Sequence, residues 1–188
     1  MKSTVDKKVI GFDMDGVIID HVANKLFVAE KFGIKVTKDQ TPSDIMRELV
    51  PRATWENIQT KMFDDPTIAL TPPLMPGVVN VLRKLKQNNV PYFLISRRKK
   101  PDRAIELLRV RGLWPKYFNE RNSFFVMSKQ EKDIKSSKLR LTHYFDDQNS
   151  VLKELLSVRN RFLFDNLKVF KRNPYPTVSS WKEISELI

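Results

Sequence analysis

The chain alternates short apolar runs with amphipathic segments, and this alternation is most regular after residue 77. Apolar runs predict buried strands over residues 91–95, 123–127, 143–145 and 162–164. Apolar residues at helical spacing predict helices over residues 78–88, 101–111, about 131–140 and 151–156. Ser180 and Glu183 have the spacing of a capping box for a last helix. Strands that alternate with helices in this way indicate βαβ units and a parallel sheet.

A further apolar run near the N-terminus leads directly into two carboxylates. It ends at Phe12 and is followed by Asp13-Met14-Asp15-Gly16. The pattern predicts a buried strand with Asp13 and Asp15 at its C-terminal end. Because these residues are two positions apart, both side chains would point to the same side of an extended chain. Gly16 then permits a tight turn or a close approach of the backbone to a ligand.

Residues 20–76 have a different pattern, because they contain helical spacing but no strand signal. Helices are expected here over residues 20–34, about 42–49 and from Thr54 onward. Residues 64–77 carry four prolines and a glycine, which predicts an irregular return connection. We therefore expect a core domain formed by residues 1–19 and 77–188, interrupted by a helical insertion at residues 20–76.

Composition limits the chemistry that this core can carry. A chain of 188 residues with 41% hydrophobic content, including 12 Phe, is long and apolar enough for one domain with a modest insertion. The absence of cysteine excludes disulfides, thiolate metal sites and a cysteine nucleophile. Two histidines are too few for a multi-histidine zinc centre, so a metal would be held mainly by carboxylates, which favours Mg²⁺.

The net charge of +12 fits an anionic partner, either nucleic acid or phosphorylated metabolites. The alternative is a lysine-rich solvated surface, because the charge is scattered along the chain instead of collected in one block. No stretch approaches the roughly 18 apolar residues of a membrane span, and the N-terminus lacks the apolar core of a signal peptide. We therefore expect no membrane partner and a cytoplasmic location.

Three of the predicted strands end in polar residues. Asp13 and Asp15 follow the first strand, Ser96 ends the second, and Asp146 and Asp147 end a later one. In a parallel sheet these C-terminal ends lie at one edge and can converge on one site. Four carboxylates gathered there would repel one another unless a cation lies among them. The arrangement predicts a Mg²⁺ site beside an anion site.

The sequence resembles the haloacid dehalogenase superfamily in four elements and their order, which are the DMDGV motif, Ser96, a lysine and Asp146-Asp147. The resemblance covers almost the whole chain, and residues 20–76 stand where that superfamily has its helical cap. It implies an α/β fold in which a Rossmann-like, doubly wound parallel sheet carries a small α-helical cap insertion.

The resemblance also implies roles for individual residues. Asp13 would be the nucleophile that forms an aspartyl-phosphate, and Asp15 would be the general acid and base. Ser96 would bind the transferring phosphoryl group. Backbone N–H groups near Met14, Gly16 and Arg97 would assist Ser96.

The metal ligands and the site lysine follow from the same resemblance. The Mg²⁺ ligands would be Asp13, Asp15 through its carbonyl oxygen, Asp146 and Asp147. The lysines that precede the acidic pair are Lys129, Lys132, Lys135 and Lys138. We assign the role to Lys132, because it looks like the family's lysine that opens a short helix before the acidic strand, and Lys135 is the second choice.

An acid at the position of Asp15 favours a phosphatase, or less often a phosphomutase, over the other reactions of the superfamily. The resemblance thus implies a Mg²⁺-dependent phosphomonoesterase that acts on a phosphorylated small molecule. The small cap and the compact spacing before Asp146 look like the nucleotidase branch. Two alternatives stay open: a basic nucleic-acid-associated protein with this fold, or a phosphatase that processes nucleic-acid ends.

Two further features have competing interpretations. The basic run at residues 97–103 either extends a positive field over the site, with Arg97 the best-placed residue, or forms a solvated helix start. His21 could touch substrate at the hinge of the cap, but we expect an ordinary hinge or surface residue. Trp55 and His143 are expected to serve packing.

Overall fold

The structure, a computed structural model, describes residues 7–188 and contains a parallel sheet. The strands are β1 (Ile10–Phe12), β2 (Tyr92–Arg97), β3 (Ser123–Val126), β4 (His143–Asp146), β5 (Asn160–Phe164) and β6 (Thr177–Val178). Their order is β3-β2-β1-β4-β5-β6, and every neighbouring pair is parallel. The predicted α/β fold with a Rossmann-like sheet is therefore confirmed.

Helices cover both faces of this sheet, as expected for a doubly wound fold. They are α1 (Val22–Lys31), α2 (Ser43–Leu49), α3 (Arg52–Asp64), α4 (Pro66–Ala69), α5 (Val78–Gln87), α6 (Pro101–Val110), α7 (Lys129–Lys138), α8 (Asn149–Leu152) and α9 (Trp181–Leu187). Apolar residues of α5, α6 and α9 form the core on one face, and those of α8 contribute to a second cluster on the other. No helix among residues 7–188 is both long and apolar enough to span a membrane.

The central strand β1 is completely buried, and a glycine in its middle lets an aromatic ring lie against the backbone. A Cβ atom at Gly11 would collide with the ring of Tyr144 on the neighbouring strand. The Tyr144 hydroxyl donates a hydrogen bond to the Ile95 carbonyl oxygen at 2.7 Å, so the ring ties β4 to β2 across β1. This close packing fixes the three strands that carry the polar ends.

The last helix anchors the turn that follows β1. Ser180 accepts a hydrogen bond from the Glu183 N–H, as the capping-box spacing predicts, although the Glu183 side chain binds the N–H of Ser179 instead of that of Ser180. Trp181 packs against Phe12, with 5.0 Å between ring centroids and the ring planes tilted by 35°. Its Nε1–H donates to the Val17 carbonyl at 2.8 Å, which holds the turn in place.

The helical insertion has an apolar cluster of its own. The buried members are Val28, Ala29, Met46, Val50, Trp55, Ile58, Met62 and Ile68. Packing is thus the role of Trp55, as expected. The existence of this cluster supports a separate cap, whose boundaries at residues 20 and 76 stay a prediction.

Some local expectations differ from the structure, as for the helix expected over residues 151–156, which runs from Asn149 to Leu152. The return connection is not wholly irregular, because Asp65 caps α4 by accepting the Thr67 N–H at 2.9 Å, with Pro66 at the first helical position. Helix α7 begins two residues earlier than expected, because Ser128 accepts the N–H of Glu131 and serves as its N-cap. Strand β6 was not predicted, since two residues are too few to show a strand period.

Candidate active site

The register of the sheet brings the polar strand ends to one edge. Phe12 is paired with Leu94 on one side and with Phe145 on the other, so Asp13, one residue later, lies level with Asp146. The N–H of Asp13 donates to the Phe145 carbonyl oxygen at 2.9 Å. Ser96, at the end of β2, is only 1% exposed. The structure therefore brings the predicted residues to the same edge.

A buried lysine joins the first two of these carboxylates. Lys132 Nζ lies 2.6 Å from Asp13 Oδ1 and 2.8 Å from Asp146 Oδ2, and the side chain is 1% exposed. Burial acts to lower the pKa of Lys132, but the charges of Asp13 and Asp146 outweigh it and raise that pKa well above its usual value. The residue chosen from the sequence thus occupies this position. The second choice, Lys135, instead places its Nζ over the ring of Phe124 at 4.1 Å.

Three carboxylates form a cluster that has the chemistry of a divalent metal site. Asp13, Asp146 and Asp147 each offer an oxygen, and these oxygens lie within 4.8 Å of one another. All three side chains are buried. Burial, with a further contribution from Asp13, raises the pKa of Asp146 to about 6. An all-oxygen, carboxylate-rich donor set of this kind suits a hard cation such as Mg²⁺.

Of the three carboxylates, Asp147 has the weakest hydrogen bonding from the protein. Its closest side-chain hydrogen bond is a 3.5 Å contact from Gln148, and no ion pair to it forms within residues 7–188. Burial raises the pKa of Asp147 well above its usual value, which Lys25 only partly opposes. Gly16 has a φ of +85°, and a Cβ atom there would collide with the Asp147 carboxylate. The turn after β1 therefore leaves space for this carboxylate, and a cation would relieve its isolation.

Asp15 is held separately from this cluster, by two donors. The Arg98 guanidinium binds both carboxylate oxygens, through Nε at 2.9 Å and Nη2 at 2.7 Å. His21 Nε2 lies 2.7 Å from Oδ1. Burial acts to raise the pKa of Asp15, but Arg98 and then His21 outweigh it and hold that pKa far below its usual value. These contacts favour the ionised form of Asp15 in this conformation.

Sequence reasoning missed both partners of Asp15. His21 is not a surface residue, because it is only 3% exposed. Arg97, chosen from the basic run, has an exposed side chain, whereas Arg98 is 7% exposed. Strand alternation contained the signal, since residues two apart point the same way and Ser96 was already placed at the site.

A third cation comes from the insertion. Lys25 on α1 is buried, and its Nζ donates to Ser43 Oγ at 3.0 Å. Burial lowers its pKa, against the opposing effect of Asp147 and Asp15. The site therefore gathers four carboxylates (Asp13, Asp15, Asp146 and Asp147) and three cations (Lys25, Arg98 and Lys132).

The insertion covers the site through specific contacts. Phe63 on α3 lies under the Arg98 guanidinium, 3.8 Å from it, and meets the edge of the His21 ring. Asp44 on α2 accepts hydrogen bonds from the hydroxyl and the N–H of Ser150, at 2.6 and 3.1 Å. These contacts keep the insertion close to the carboxyl edge of the sheet.

The backbone N–H groups near the motif are partly occupied in this conformation. The N–H of Gly16 donates to the Ile19 carbonyl at 2.9 Å, and that of Asp15 donates to Asp13 Oδ2 at 3.1 Å. Gly16 therefore does not offer its N–H to a ligand here. The assistance expected from the N–H groups near Met14 and Arg97 stays a prediction.

Comparison with solved structures identifies the architecture. A haloacid dehalogenase (HAD) hydrolase of family IA, variant 3, from Entamoeba histolytica superposes with a TM-score of 0.66 at 14% identity, over 94% of each chain. A predicted phosphatase from Clostridium acetobutylicum gives a TM-score of 0.67 at 14% identity, over 96% of this chain and 97% of that one. This is the haloacid dehalogenase fold. The expectation from the sequence resemblance is thus confirmed at the level of the fold.

A third structure with this fold contains ligands. It is a HAD family hydrolase from Deinococcus radiodurans with bound phosphate and sodium, with a TM-score of 0.62 at 14% identity over 94% of this chain and 93% of that one. No protein-family model and no curated protein matches the sequence. Similarity to HAD hydrolases is therefore structural, and the activity has to be argued from the site.

Removing the buried ammonium should destabilise the protein strongly. We expect Lys132→Met to lower the free energy of unfolding by about 3–5 kcal/mol in metal-free buffer at pH 8, because Asp13 and Asp146 then stay buried without their cation. The loss should be smaller at pH 5, since the pKa of Asp146 is raised to about 6 and a proton then replaces the ion pair. Urea unfolding at both pH values measures this.

Lys135→Met, on the same helix, is the matched control and should cost less than about 1 kcal/mol. Equal losses in the two variants would contradict a special role for the Lys132 ion pairs.

Proposed function

We propose that this protein is a Mg²⁺-dependent phosphomonoesterase that acts through an aspartyl-phosphate at Asp13. The observation that carries the proposal is the buried Asp13–Lys132–Asp146 group beside Asp147 at the carboxyl edge of a HAD fold. The substrate would be a phosphorylated small molecule.

The first chemical step would transfer the phosphoryl group to the protein. An Asp13 carboxylate oxygen attacks phosphorus while the bond from phosphorus to the leaving oxygen breaks, and Asp15 gives a proton to that leaving oxygen. Lys132 and the Asp15 N–H hold the two Asp13 oxygens, which keeps the nucleophile in a fixed orientation. Ser96 would bind the phosphoryl oxygens.

The second step would release phosphate. Asp15, now ionised, takes a proton from a water molecule that attacks phosphorus, and the bond between phosphorus and Asp13 breaks. In the described conformation the Arg98 contacts favour an ionised Asp15, which suits this step. Its role as an acid in the first step requires Arg98 to leave the carboxylate, because the guanidinium occupies both oxygens.

The proposed metal ligands are the oxygens of Asp13, Asp146 and Asp147, with the carbonyl oxygen of Asp15. The clustering of the three carboxylates and the weak hydrogen bonding of the buried Asp147 support this assignment. A divalent cation there would neutralise phosphoryl oxygens during the transfer.

Loss of the nucleophile should abolish turnover. We expect Asp13→Asn to lower the rate of phosphate release from p-nitrophenyl phosphate at least 1,000-fold, because removal of an enzyme's nucleophile typically lowers kcat by a factor of this order or more. Circular dichroism should show an unchanged fold. The exposed Asp102→Asn serves as the control and should retain activity. Release by Asp13→Asn at the level of the control would exclude Asp13 as the nucleophile.

Metal binding should be visible as a thermal shift without any substrate. The folded-state pKa of Asp146, about 6, lies above its unfolded value of 3.8, so its contribution to stability is present below pH 3.8 and is lost as the pH rises through 6. Mg²⁺ relieves this loss, so we expect it to raise Tm by several degrees at pH 7.5 and by less at pH 5.5. A shift of several degrees is roughly what a ligand present at about 100 times its Kd produces.

Asp147→Asn tests whether the shift comes from this cluster. The variant should lose most of the Mg²⁺-induced shift at pH 7.5, because it removes the carboxylate with the weakest protein support. EDTA should reverse the shift in the unsubstituted protein. A full shift in Asp147→Asn would place the metal elsewhere.

A further inference from the structure

A cleft lies beside the candidate site, between α3 of the insertion and the segment that follows β2. Its volume is about 630 Å³, and its walls include Phe63 on one side and Arg97, Arg98, Lys99 and Lys100 on the other. Small-molecule sites typically have volumes of about 300–1,000 Å³. The cleft therefore has the size of a site for a metabolite.

Arg98 connects this cleft to the reacting groups. It lines the cleft and binds both oxygens of Asp15. If Asp15 protonates the leaving oxygen, the leaving group lies on the Asp15 side of phosphorus. The leaving group would then extend towards Arg98 and into the cleft, a step that rests on the proposed function.

The cleft carries positive charge that the protein itself leaves unbalanced. Lys100 pairs with Asp64 at 2.8 Å, and Arg98 pairs with Asp15. Arg97 and Lys99 are exposed and form no ion pair in the part of the chain that the structure describes. These two side chains are therefore available to an anionic group on a ligand.

The positive charges near the cleft also act on a nearby lysine, Lys129. The pKa of Lys129 is lowered first by partial burial and then by the charges of Arg97 and Arg47. These cations come from the core and from α2 of the insertion, so the positive region lies where the two meet.

Apolar surface accompanies the charge. Phe63, Val126 and Met127 line the cleft, and Met127 is 60% exposed. Flexible methionine and aromatic side chains commonly form the contact surface for planar or apolar groups. Asn57 and Thr60 on α3 add hydrogen-bonding groups to the same wall.

We propose that this cleft is the leaving-group subsite and that it selects a phosphomonoester whose leaving group carries a second phosphate next to a planar or apolar portion. Arg97 and Lys99 bind the second phosphate, and Phe63 and Met127 contact the planar portion. The substrate class is thus a bisphosphorylated small molecule, of which a nucleoside bisphosphate is the simplest probe.

The first experiment compares three compounds that differ in the leaving group. Adenosine 3′,5′-bisphosphate has both features, adenosine 5′-monophosphate lacks the second phosphate, and p-nitrophenyl phosphate has only a planar leaving group. With the unsubstituted protein and Mg²⁺, we expect kcat/KM for the bisphosphate to exceed that for the monophosphate at least 10-fold, about the effect of one charge-assisted contact.

Lys99→Gln tests the origin of this preference. It should lower the ratio of kcat/KM for the bisphosphate to that for the monophosphate by about 10-fold, mainly through KM, because one charged contact to the second phosphate is lost. Lys86→Gln removes the same charge from the end of α5, which leads into the opposite edge of the sheet. This control should leave the ratio unchanged.

The outcomes separate the two proposals. Release from all three compounds at the level of Asp13→Asn would overturn the proposed phosphatase function. Release without a preference for the bisphosphate, or with a preference that Lys99→Gln keeps, would overturn the subsite alone. A 5′-phosphorylated oligonucleotide preferred more than 10-fold over the bisphosphate would also overturn the small-molecule assignment.

Binding provides a readout that does not depend on turnover. Calorimetry with Asp13→Asn protein should show at least 10-fold tighter binding of the bisphosphate than of the monophosphate, and Lys99→Gln in the same background should reduce this difference, because only the Arg97 contact then remains. Equal affinities of Asp13→Asn for the two compounds would contradict the proposed subsite.

Discussion

The rest of the structure depends on one buried ammonium group between two carboxylates. Burying a charge costs several kcal/mol, and the attraction of its partners offsets this cost only if the geometry is held closely, roughly as measured for other buried pairs. Here Asp13 comes from β1, Asp146 from β4 and Lys132 from α7. The pairing of β1 with β4 and the packing of Tyr144 hold these groups in place, so the sheet and the ion pairs stabilise each other.

The same physics explains why a metal suits the neighbouring carboxylate. Lys132 forms ion pairs with two members of the acidic cluster but none with Asp147. The Asp147 carboxylate is therefore buried with only a 3.5 Å hydrogen bond from Gln148. A second lysine, Lys25, contributes from the insertion at longer range, since the hydrogen bond that its side chain forms within residues 7–188 goes to Ser43. The charge balance of the core site is thus shared with the insertion.

The parts of the fold with a regular period could be predicted from the sequence, and so could the residues at the ends of strands. Lys132 was chosen because it resembles the lysine that precedes the acidic strand in the haloacid dehalogenase superfamily, although the helix in fact begins three residues before it. The roles of Arg98 and Lys25 were missed because they arise from contacts with residues distant in sequence, those of Arg98 with Asp15 and Phe63 and that of Lys25 with Ser43. His21 was expected to be a hinge or surface residue, because nothing in the sequence shows that its ring turns towards Asp15. Strand β6 was missed because two residues show no period.

Arg98 links chemistry to substrate selection in this arrangement. Its guanidinium contacts the carboxylate of Asp15, rests on Phe63 of the insertion and lines the adjacent cleft. A group that binds in the cleft therefore meets the same side chain that controls access to Asp15. Because His21 also touches Phe63, both partners of Asp15 depend on the position of α3. Displacement of that helix would change the environment of the acid and the shape of the cleft together.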